Sequence, residues 1–419
     1  MPHVPRFHIH TFGCKVNRAE SERIAASLLS SGWQQADASS ADIALVNTCT
    51  VTGEADVKNR KLIRSLLRAG CPHVLVFGCA VQVEAGHYAE LGSNVVCESD
   101  KSRVVERAYT LVGLPPQVQA PLAPALPDRI DAGFRTRVDV KVQDGCDNAC
   151  TYCIVHVARG PARSVPADAV VSEVARLAAD GVGEVVLVGI DLGAYRSEGL
   201  DLAGLLQRCI DETDIARLRI SSLEPQNLTD SLVECLARSE GRICRHLHLC
   251  LQSGSDKVLA EMARPYTAAQ FEEKVAMLKS RVPGIALSTD VIVGFPGETD
   301  EDFADTCALV ERCGFMRLHV FRYSRRPGTP AAERADQVAP EVMARRSAIL
   351  RELGQRLAAA DARSRVGRCE QVIVERPGRG TSESYHPVRL DAALPEGSLA
   401  AVRFTSYDEA GAALVGERV

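Results

Sequence analysis

The sequence has no long apolar run. None of its hydrophobic stretches approaches the roughly 18–20 residues that a helix needs to cross a membrane, and residues 1–13, MPHVPRFHIHTFG, lack the hydrophobic region of a secretory signal. It also lacks a charge excess, because 49 Lys and Arg stand against 54 Asp and Glu. That balance gives no global nucleic-acid signal but does not exclude a local basic groove. We therefore expect a cytoplasmic protein with no membrane association.

Cysteine, by contrast, is plentiful. The chain has fifteen, an odd number, and the reducing cytosol argues against a disulfide framework. The segment GCDNACTYCIV at 145–155 places Cys146, Cys150 and Cys153 in a C-x3-C-x2-C arrangement. Soft thiolates at this spacing, with no fourth cysteine nearby, favour a [4Fe–4S] cluster that keeps one iron open for an exchangeable ligand. The alternative is a structural zinc site, which normally needs four protein ligands.

The chain is too long for one ordinary domain, and its pattern predicts an α/β protein in several parts. Apolar runs alternate with helical patterns over 1–114, which indicates a parallel-sheet α/β domain. Residues 115–131 are rich in proline and predict a linker. Six strand–helix units over 132–362 predict a partial (β/α)6 barrel, and short strands over 363–419 predict a small β-barrel. The predicted strands of the larger barrel are 138–143, 184–189, 217–221, 246–252, 285–293 and 317–323.

A second set of cysteines lies in the first predicted domain. Cys14 follows FHIHTFG, Cys49 follows DIALVNT and Cys79 follows HVLVFG. Each lies just past the carboxyl end of a predicted strand, and those ends share one edge of a parallel sheet. We therefore expect the three thiols to converge. The alternative is that they are small buried residues, as we interpret the nine cysteines outside the two sets.

Several motifs carry a resemblance to a known family. The C-x3-C-x2-C motif, with Tyr152 before its last cysteine at the opening of a βα barrel, resembles the radical S-adenosyl-L-methionine (radical SAM) superfamily. GCKVNRAES, NTCTVTGEADVKNRKLIR and FGCAVQ resemble the N-terminal domain of its methylthiotransferases, and RISSLEP, HLCLQSGSDKVL and DVIVGFPGETDEDF resemble that family's barrel motifs. The terminal module resembles its TRAM domain. GCKVN and NTCTVT are similar to the MtaB type, which acts on transfer RNA (tRNA).

The resemblance implies a specific activity. A methylthio group would be transferred to C2 of N6-threonylcarbamoyladenosine at position 37 of tRNA, with SAM as radical source and methyl donor. It implies two [4Fe–4S] clusters: the one on Cys146, Cys150 and Cys153 would bind and reduce SAM, and the one on Cys14, Cys49 and Cys79 would supply sulfur. The implied partners are the tRNA anticodon stem–loop and an electron donor such as flavodoxin or ferredoxin, and we expect a monomer.

Two other interpretations stay open at this point. The first is a methylthiotransferase that acts on isopentenyladenosine in tRNA or on a ribosomal protein, since these types share every cluster cysteine. The second is a non-catalytic iron–sulfur sensor that binds RNA, against which the six-strand barrel argues because a sensor needs no SAM pocket.

The strand ends of the predicted barrel offer candidate SAM contacts. Glu224 could accept hydrogen bonds from ribose hydroxyls, Arg264 could meet a carboxylate in a bidentate manner, and Gly294 would allow close backbone approach to a ligand. For each of these residues a turn or an ordinary surface contact is the alternative. The complete set of predicted cofactor contacts is Tyr152, Glu224, Gln252, Ser253, Arg264, Asp290 and Gly294.

The sequence departs from the family pattern in two places. His156 stands where the family often has proline, and it is either a ligand or base near the cysteines or a polar packing residue. The TRAM-like segment 363–419 has eight Arg against eight Asp and Glu, so it supplies little electrostatic RNA affinity. The arginines near the last barrel strand are better candidates for contacts with the RNA backbone. These are Arg317, Arg322, Arg325 and Arg326.

Overall fold

The computed structural model describes residues 3–115, 136–390 and 394–419. The expected α/β class is confirmed: a parallel N-terminal sheet, a partial barrel and a closed C-terminal β-barrel follow one another along the chain. The predicted linker at 115–131 lies outside the described residues except for Pro115. Within the described ranges, no helix is long and apolar enough to cross a membrane.

The N-terminal unit is a five-stranded parallel sheet in the order β2-β1-β3-β4-β5. Its central strand, IALVNT, is buried along its whole length, as expected for a strand covered on both faces. The strands are β1 (Arg6–Thr11), β2 (Gln34–Gln35), β3 (Ile43–Thr48), β4 (His73–Gly78) and β5 (Val95–Glu98). The helices are α1 (Lys15–Ser30), α2 (Gly53–Arg68), α3 (Cys79–Ala89) and α4 (Val104–Leu111).

The second unit is the partial barrel, and all six predicted strands are present. Seven of its strands form two parallel sheets, β6-β9-β10 and β11-β12-β13-β14, and a parallel bridge between Leu218 and Ile243 joins the two sheets. The short strands β7 and β8 form a separate antiparallel pair. The strands are β6 (Arg137–Lys141), β7 (Gln143–Asp144), β8 (Arg163–Ser164), β9 (Glu184–Val188), β10 (Arg217–Ile220), β11 (Ser222–Leu223), β12 (His246–Leu249), β13 (Ala286–Val293) and β14 (Arg317–Arg322). The helices are α5 (Val155–Arg159), α6 (Ala167–Ala179), α7 (Leu202–Glu212), α8 (Asp230–Arg238), α9 (Asp256–Glu261), α10 (Ala268–Arg281), α11 (Asp300–Cys313), α12 (Pro330–Glu333) and α13 (Pro340–Ser364).

The two faces of the barrel strands differ in chemistry. Side chains alternate along a strand, and on β13 Leu287 and Val291 pack into the apolar core under the helices. Ser288 and Asp290 therefore face the interior, where Asp290 meets His248 of β12 at 3.2 Å. The inner face of these strands is consequently polar.

The third unit is a closed five-stranded barrel in the order β15-β16-β17-β19-β18. Its strands are β15 (Cys369–Arg376), β16 (Arg379–Ser382), β17 (Pro387–Leu390), β18 (Leu399–Asp408) and β19 (Ala413–Arg418). Two fully buried arginines dock it to the amino-terminal ends of the larger barrel's strands. Arg217 donates to the Gln371 carbonyl at 2.7 Å, and Arg219 donates to the Ser382 carbonyl at 3.0 Å. Both also pair with the buried Glu184, so the buried charges are compensated.

Tyr385 is the point at which the three units meet. It lies in the turn between β16 and β17 with φ of 71°, and its ring stacks on His246 at 4.7 Å. Four cations surround the ring at 4.7–5.6 Å from its centre: Lys15, Arg137, Arg219 and Arg317. Although burial opposes it, Lys15 and the neighbouring arginines lower the pKa of the Tyr385 hydroxyl. The ring closes the amino-terminal end of the larger barrel.

Candidate functional site

Three cysteines meet at one edge of the N-terminal sheet, and we call Cys14, Cys49 and Cys79 the sheet-edge site. They follow β1, β3 and β4, which are adjacent strands, so the expected convergence has a simple topological cause. Gly13 has φ of +100°, and a Cβ at that position would lie 2.9 Å from Cys49 Sγ. The turn before Cys14 therefore needs glycine in order to approach Cys49 this closely.

Two opposing influences act on the sulfurs of the sheet-edge site: helix amino termini favour thiolate charge, and burial opposes it. Cys14 precedes α1, Cys79 begins α3 and Thr52, just after Cys49, caps α2, so three helix amino termini point at the site. Burial raises the pKa of Cys49 to about 11, and Cys14 and Cys79 add to that rise when ionised. Three neighbouring thiolates would repel one another, so ionisation of all three cysteines is unfavourable unless a bound cation compensates their charge.

A second set of three cysteines lies on one loop between β7 and α5, and we call Cys146, Cys150 and Cys153 the loop site. Each sulfur accepts an N–H hydrogen bond. Asn148 Nδ2 donates to Cys146 Sγ at 3.3 Å, and the Val155 amide donates to Cys153 Sγ at 3.4 Å. Burial, with Cys150 and Cys146 beside it, raises the pKa of Cys153 to about 11.

Arg264 completes the hydrogen bonds of the loop site. Its Nη1 donates to Cys150 Sγ at 3.1 Å, and its Nη2 pairs with Glu224. The side chain is almost fully buried, so one guanidinium links a cysteine sulfur to a carboxylate at a neighbouring strand end.

Both cysteine sets fit an iron–sulfur cluster better than a single ion. Tetrahedral zinc at about 2.3 Å from each sulfur would draw three sulfurs to within roughly 3.8 Å of one another. Among the described residues, the His, Cys, Asp or Glu set whose ligand atoms all lie within 4.8 Å is His248, Cys250 and Asp290, and neither cysteine set meets that spacing. Neither set is therefore drawn together as a single zinc ion would require, and N–H···S hydrogen bonds such as those at the loop site are among the features that tune iron–sulfur clusters.

Comparison with known proteins agrees with this geometry. The radical SAM superfamily matches residues 140–310, and the uncharacterized protein family UPF0004 matches residues 6–97. The threonylcarbamoyladenosine tRNA methylthiotransferase MtaB of Thermotoga maritima is 36% identical over 88% of this chain and 86% of its own. The chain belongs to the radical SAM methylthiotransferase family.

Relatives within the family differ in substrate. A tRNA-2-methylthio-N(6)-dimethylallyladenosine synthase of Sorangium cellulosum is 37% identical over 89% of this chain and 82% of its own. A ribosomal protein uS12 methylthiotransferase RimO of an Anaeromyxobacter species is 38% identical over 88% and 81%. Because the three relatives are 36–38% identical to this chain, sequence identity does not decide which of their three substrates this chain modifies.

A solved structure shares the fold. The radical S-adenosylmethionine methyltransferase TsrM from Kitasatospora setae, with cobalamin and a [4Fe–4S] cluster bound, has a TM-score of 0.58 at 15% identity and covers 79% of this chain and 77% of its own. Family membership makes the chain an enzyme of the transferase class that uses SAM and two [4Fe–4S] clusters.

The predicted SAM contacts occupy different surroundings in this methylthiotransferase. Tyr152 packs beside the loop site against an apolar cluster, and burial raises its pKa well above the usual range. Gln252 has φ of 69° and forms a β-bridge with Val291. Asp290 faces the barrel interior. These three residues stay predicted contacts.

Ser253 and Gly294, like the paired Arg264 and Glu224, already contact other parts of the protein. The Ser253 hydroxyl is fully buried and lies 3.3 Å from Thr306 Oγ1 of α11. Gly294 has φ of +76°, and a Cβ there would lie 2.1 Å from Met343 Cγ. Glycine at 294 permits the close approach of α13, and a ligand contact at Gly294 stays a prediction.

The four arginines predicted to contact RNA, and His156, differ in their exposure and partners. Arg326 is buried and pairs with Asp56, so it presents no free surface charge. Arg317 is half-buried and lies among the cations around Tyr385. Arg322 and Arg325 are exposed. The Nδ1 atom of His156 is buried without a hydrogen-bond partner among the described residues.

Sequence reasoning missed the residues that connect the two cysteine sites. Arg159 donates from Nε to Cys79 Sγ at 3.2 Å, and it contacts Asn17 and Glu20 of α1. The sequence of α1 held a signal, because Asn17 and Glu20 lie three positions apart, each directly after an apolar residue, Val16 or Ala19. All four residues are buried in the structure. Polar residues on a buried helix face need partners.

Proposed function

We propose that this enzyme transfers a methylthio group to C2 of N6-threonylcarbamoyladenosine at position 37 of tRNA. The observation that carries the proposal is the proximity of two three-cysteine sites, since one buried side chain, Arg159, reaches from the helix after Cys153 to Cys79 Sγ. Radical formation and sulfur delivery need sites that face one substrate atom. The motifs GCKVN and NTCTVT, which resemble those of the MtaB type, favour this base over the other substrates of the family.

The two sites have separate roles in this proposal. The loop site holds the cluster that binds SAM, and the sheet-edge site holds the cluster that delivers sulfur. When bound, these groups supply the one-electron reduction, the hydrogen abstraction and the sulfur that ordinary side chains cannot provide at an unactivated C–H bond. The protein's own contribution is position, N–H donors to the cysteine sulfurs, and a barrel that encloses the reacting base.

The barrel interior offers a place for the base. His319 and Phe321 alternate with Leu318 and Val320 on β14, and the latter two pack outward. Phe321 is 39% exposed although it is large and apolar, which leaves its face free for stacking. Enzymes that modify a base in a loop extrude it and stack it on an aromatic side chain. We propose that Phe321 stacks on adenine 37.

The RNA backbone would lie on a basic surface beside this opening. Exposed Arg322 and Arg325 lie near the start of α2, because Ser324 Oγ accepts a hydrogen bond from the Gly53 amide at 2.8 Å. Lys58 and Lys61 are exposed on the same helix. We propose that these four residues contact phosphates of the anticodon stem–loop. We further propose that a flavodoxin or ferredoxin reduces the enzyme and that the enzyme acts as a monomer.

One assay tests the substrate. The reconstituted enzyme is incubated with SAM, dithionite and, in parallel, tRNA bearing N6-threonylcarbamoyladenosine, tRNA bearing isopentenyladenosine, and ribosomal protein uS12. Mass spectrometry should detect the methylthio product in the first reaction. A product in either other reaction and none in the first would overturn the proposed substrate and leave the family intact.

A further inference from the structure

We infer that Arg159 is a positioning residue that ties the loop site to the sheet-edge site and raises the reduction potential of the cluster held on Cys14, Cys49 and Cys79. The inference rests on the proposed function, because it takes that site to hold a cluster. The residue lies outside both cysteine sets and outside every cofactor contact predicted from the sequence.

The side chain of Arg159 is fixed at every nitrogen. Its Nε donates to Cys79 Sγ at 3.2 Å, and its Nη1 donates to Asp144 Oδ1 at 2.8 Å and to Glu20 Oε1 at 3.0 Å. Its Nη2 donates to Asn17 Oδ1. With 2% of the side chain exposed, the guanidinium cannot leave Cys79 without breaking several buried, charge-assisted hydrogen bonds.

The backbone position of Arg159 explains how its side chain links the two cysteine sites. It is the last residue of α5, which begins two residues after Cys153. Asn17, which accepts from Arg159, also donates to the Phe12 and Thr48 carbonyls at 2.9 Å each, close to Cys14 and Cys49 along the chain. One side chain thus joins the helix behind the loop site to the turns that carry the sheet-edge cysteines.

The surrounding charges keep the guanidinium cationic. An arginine side chain stays protonated in proteins, and Glu20 and Asp144 lie 3.0 Å and 2.8 Å from its Nη1 atom. The two carboxylates have partners of their own, because Lys101 and Lys141 each lie 2.6 Å from Glu20 and Lys141 lies 2.7 Å from Asp144. The positive charge next to Cys79 is therefore a permanent part of the site.

The consequence is electrostatic. A cluster held by three thiolates gains negative charge when it takes up one electron, and a buried cation with an N–H···S bond stabilises that reduced state more than the oxidised one. Hydrogen bonds to sulfur and net charge set the potentials of iron–sulfur clusters. Loss of Arg159 should make reduction of the sheet-edge cluster harder.

The test isolates this cluster. In a variant with Cys146→Ala, Cys150→Ala and Cys153→Ala, the remaining iron reports on the sheet-edge site alone, and its reduction is followed by electron paramagnetic resonance during a redox titration. Arg159→Gln and Arg159→Lys are added separately to that background. Arg163→Gln is the matched control, because Arg163 lies on the same segment and pairs with Asp144 at 3.4 Å but is mostly exposed.

We expect half-reduction to move to a more negative potential in Arg159→Gln, to move less in Arg159→Lys, and to stay in place in Arg163→Gln. If Gln removes the iron while Lys keeps it with a shifted potential, the inference also stands. An unchanged potential in an iron-loaded Gln variant, or equal loss of iron from Gln and Lys, would overturn it. Absence of iron from the background variant itself would instead contradict the proposed function.

Discussion

The two cysteine sites are built in opposite ways. The sheet-edge site draws its three residues from the ends of three strands, and Cys14 and Cys79 are separated by most of a domain. The loop site takes all three from eight consecutive residues, 146–153. The first site therefore exists only when the parallel sheet has formed, whereas the second depends on the conformation of one loop. The same donor chemistry is reached once by tertiary structure and once by local sequence.

The sites nevertheless share one device. Each has a buried arginine that donates to one cysteine sulfur, Arg159 to Cys79 and Arg264 to Cys150. Arg264 also pairs with Glu224, at the end of a neighbouring strand of the same barrel, while Arg159 crosses from one unit to another. The loop site therefore takes its arginine from its own barrel, whereas the sheet-edge site depends on the barrel, a different unit, for one of its contacts.

The largest expected effect is the loss of methylthiolation, with SAM cleavage retained, when the sheet-edge cysteines are replaced. Changing Cys14, Cys49 and Cys79 to Ala should lower the iron content from about eight to about four per chain and abolish methylthiolation. The loop site lies in another unit and should still support reductive cleavage of SAM. The measurement follows 5′-deoxyadenosine and 2-methylthio-N6-threonylcarbamoyladenosine in one reaction with dithionite, SAM and substrate tRNA.

The matched control changes Cys71 and Cys97, which lie in the same domain outside the site, to Ala and should keep both products. Methylthiolation that persists in the triple variant would remove the sulfur-delivering role from the sheet-edge site. Loss of both products together would show that these cysteines serve the fold, and the contrast between the sites would fail.

The second effect concerns Arg264. Changing it to Gln removes the N–H donor to Cys150 and leaves Glu224 without its cation. Residues that orient ligands of a metal site typically contribute 10–100-fold to activity or affinity, so we expect the rate of 5′-deoxyadenosine formation to fall by that factor. Arg159→Gln should leave this rate nearly unchanged, because its sulfur contact lies at the other site. Arg312→Gln, an exposed arginine paired with Glu272, serves as control.

The sequence predicted the parts of this comparison that depend on local pattern. The alternation of strand and helix patterns indicated the N-terminal sheet and the larger barrel, and the C-x3-C-x2-C spacing indicated the loop site. The placement of Cys14, Cys49 and Cys79 after predicted strands indicated their convergence. It could not predict that Arg159 reaches Cys79, eighty residues away, because the docking of α5 against α3 depends on the packing of two units. The cations around Tyr385 were hidden for the same reason.

The third effect tests how the units are held together. Changing Tyr385 to Ala removes the ring that stacks on His246 and lies among four cations. Because the ring is half-buried, we expect a loss in the free energy of unfolding somewhat below the roughly 3–5 kcal/mol that truncation of a fully buried aromatic residue costs. The cations then face one another without a shared partner, which adds to the loss. Urea denaturation measures the change. Tyr385→Phe keeps the ring and should cost much less, and equal losses in both variants would assign the effect to the hydroxyl.

The smallest effect is a pH dependence at the link between the sites. Although burial opposes it, Arg159, Lys101 and Lys141 hold the pKa of Glu20 at about 2, whereas a glutamate in an unfolded chain has a pKa of about 4.3. Because the folded-state pKa is depressed, the stabilisation is fully present above pH of about 4.3 and is lost as pH falls towards 2. The two pKa values correspond to roughly 2–3 kcal/mol. Glu20→Gln should lower the free energy of unfolding at neutral pH and flatten its fall in acid, as measured by urea denaturation at a series of pH values.

Asp361→Asn is the control: Asp361 has a pKa of about 2 beside His386 and Arg365, far from both cysteine sites, so it should flatten the same curve without changing the iron held at the sheet-edge site. An acid curve that keeps its slope in Glu20→Gln would mean that Arg159 does not rely on this carboxylate, and the link between the sites would then rest on Asp144 and Asn17 alone.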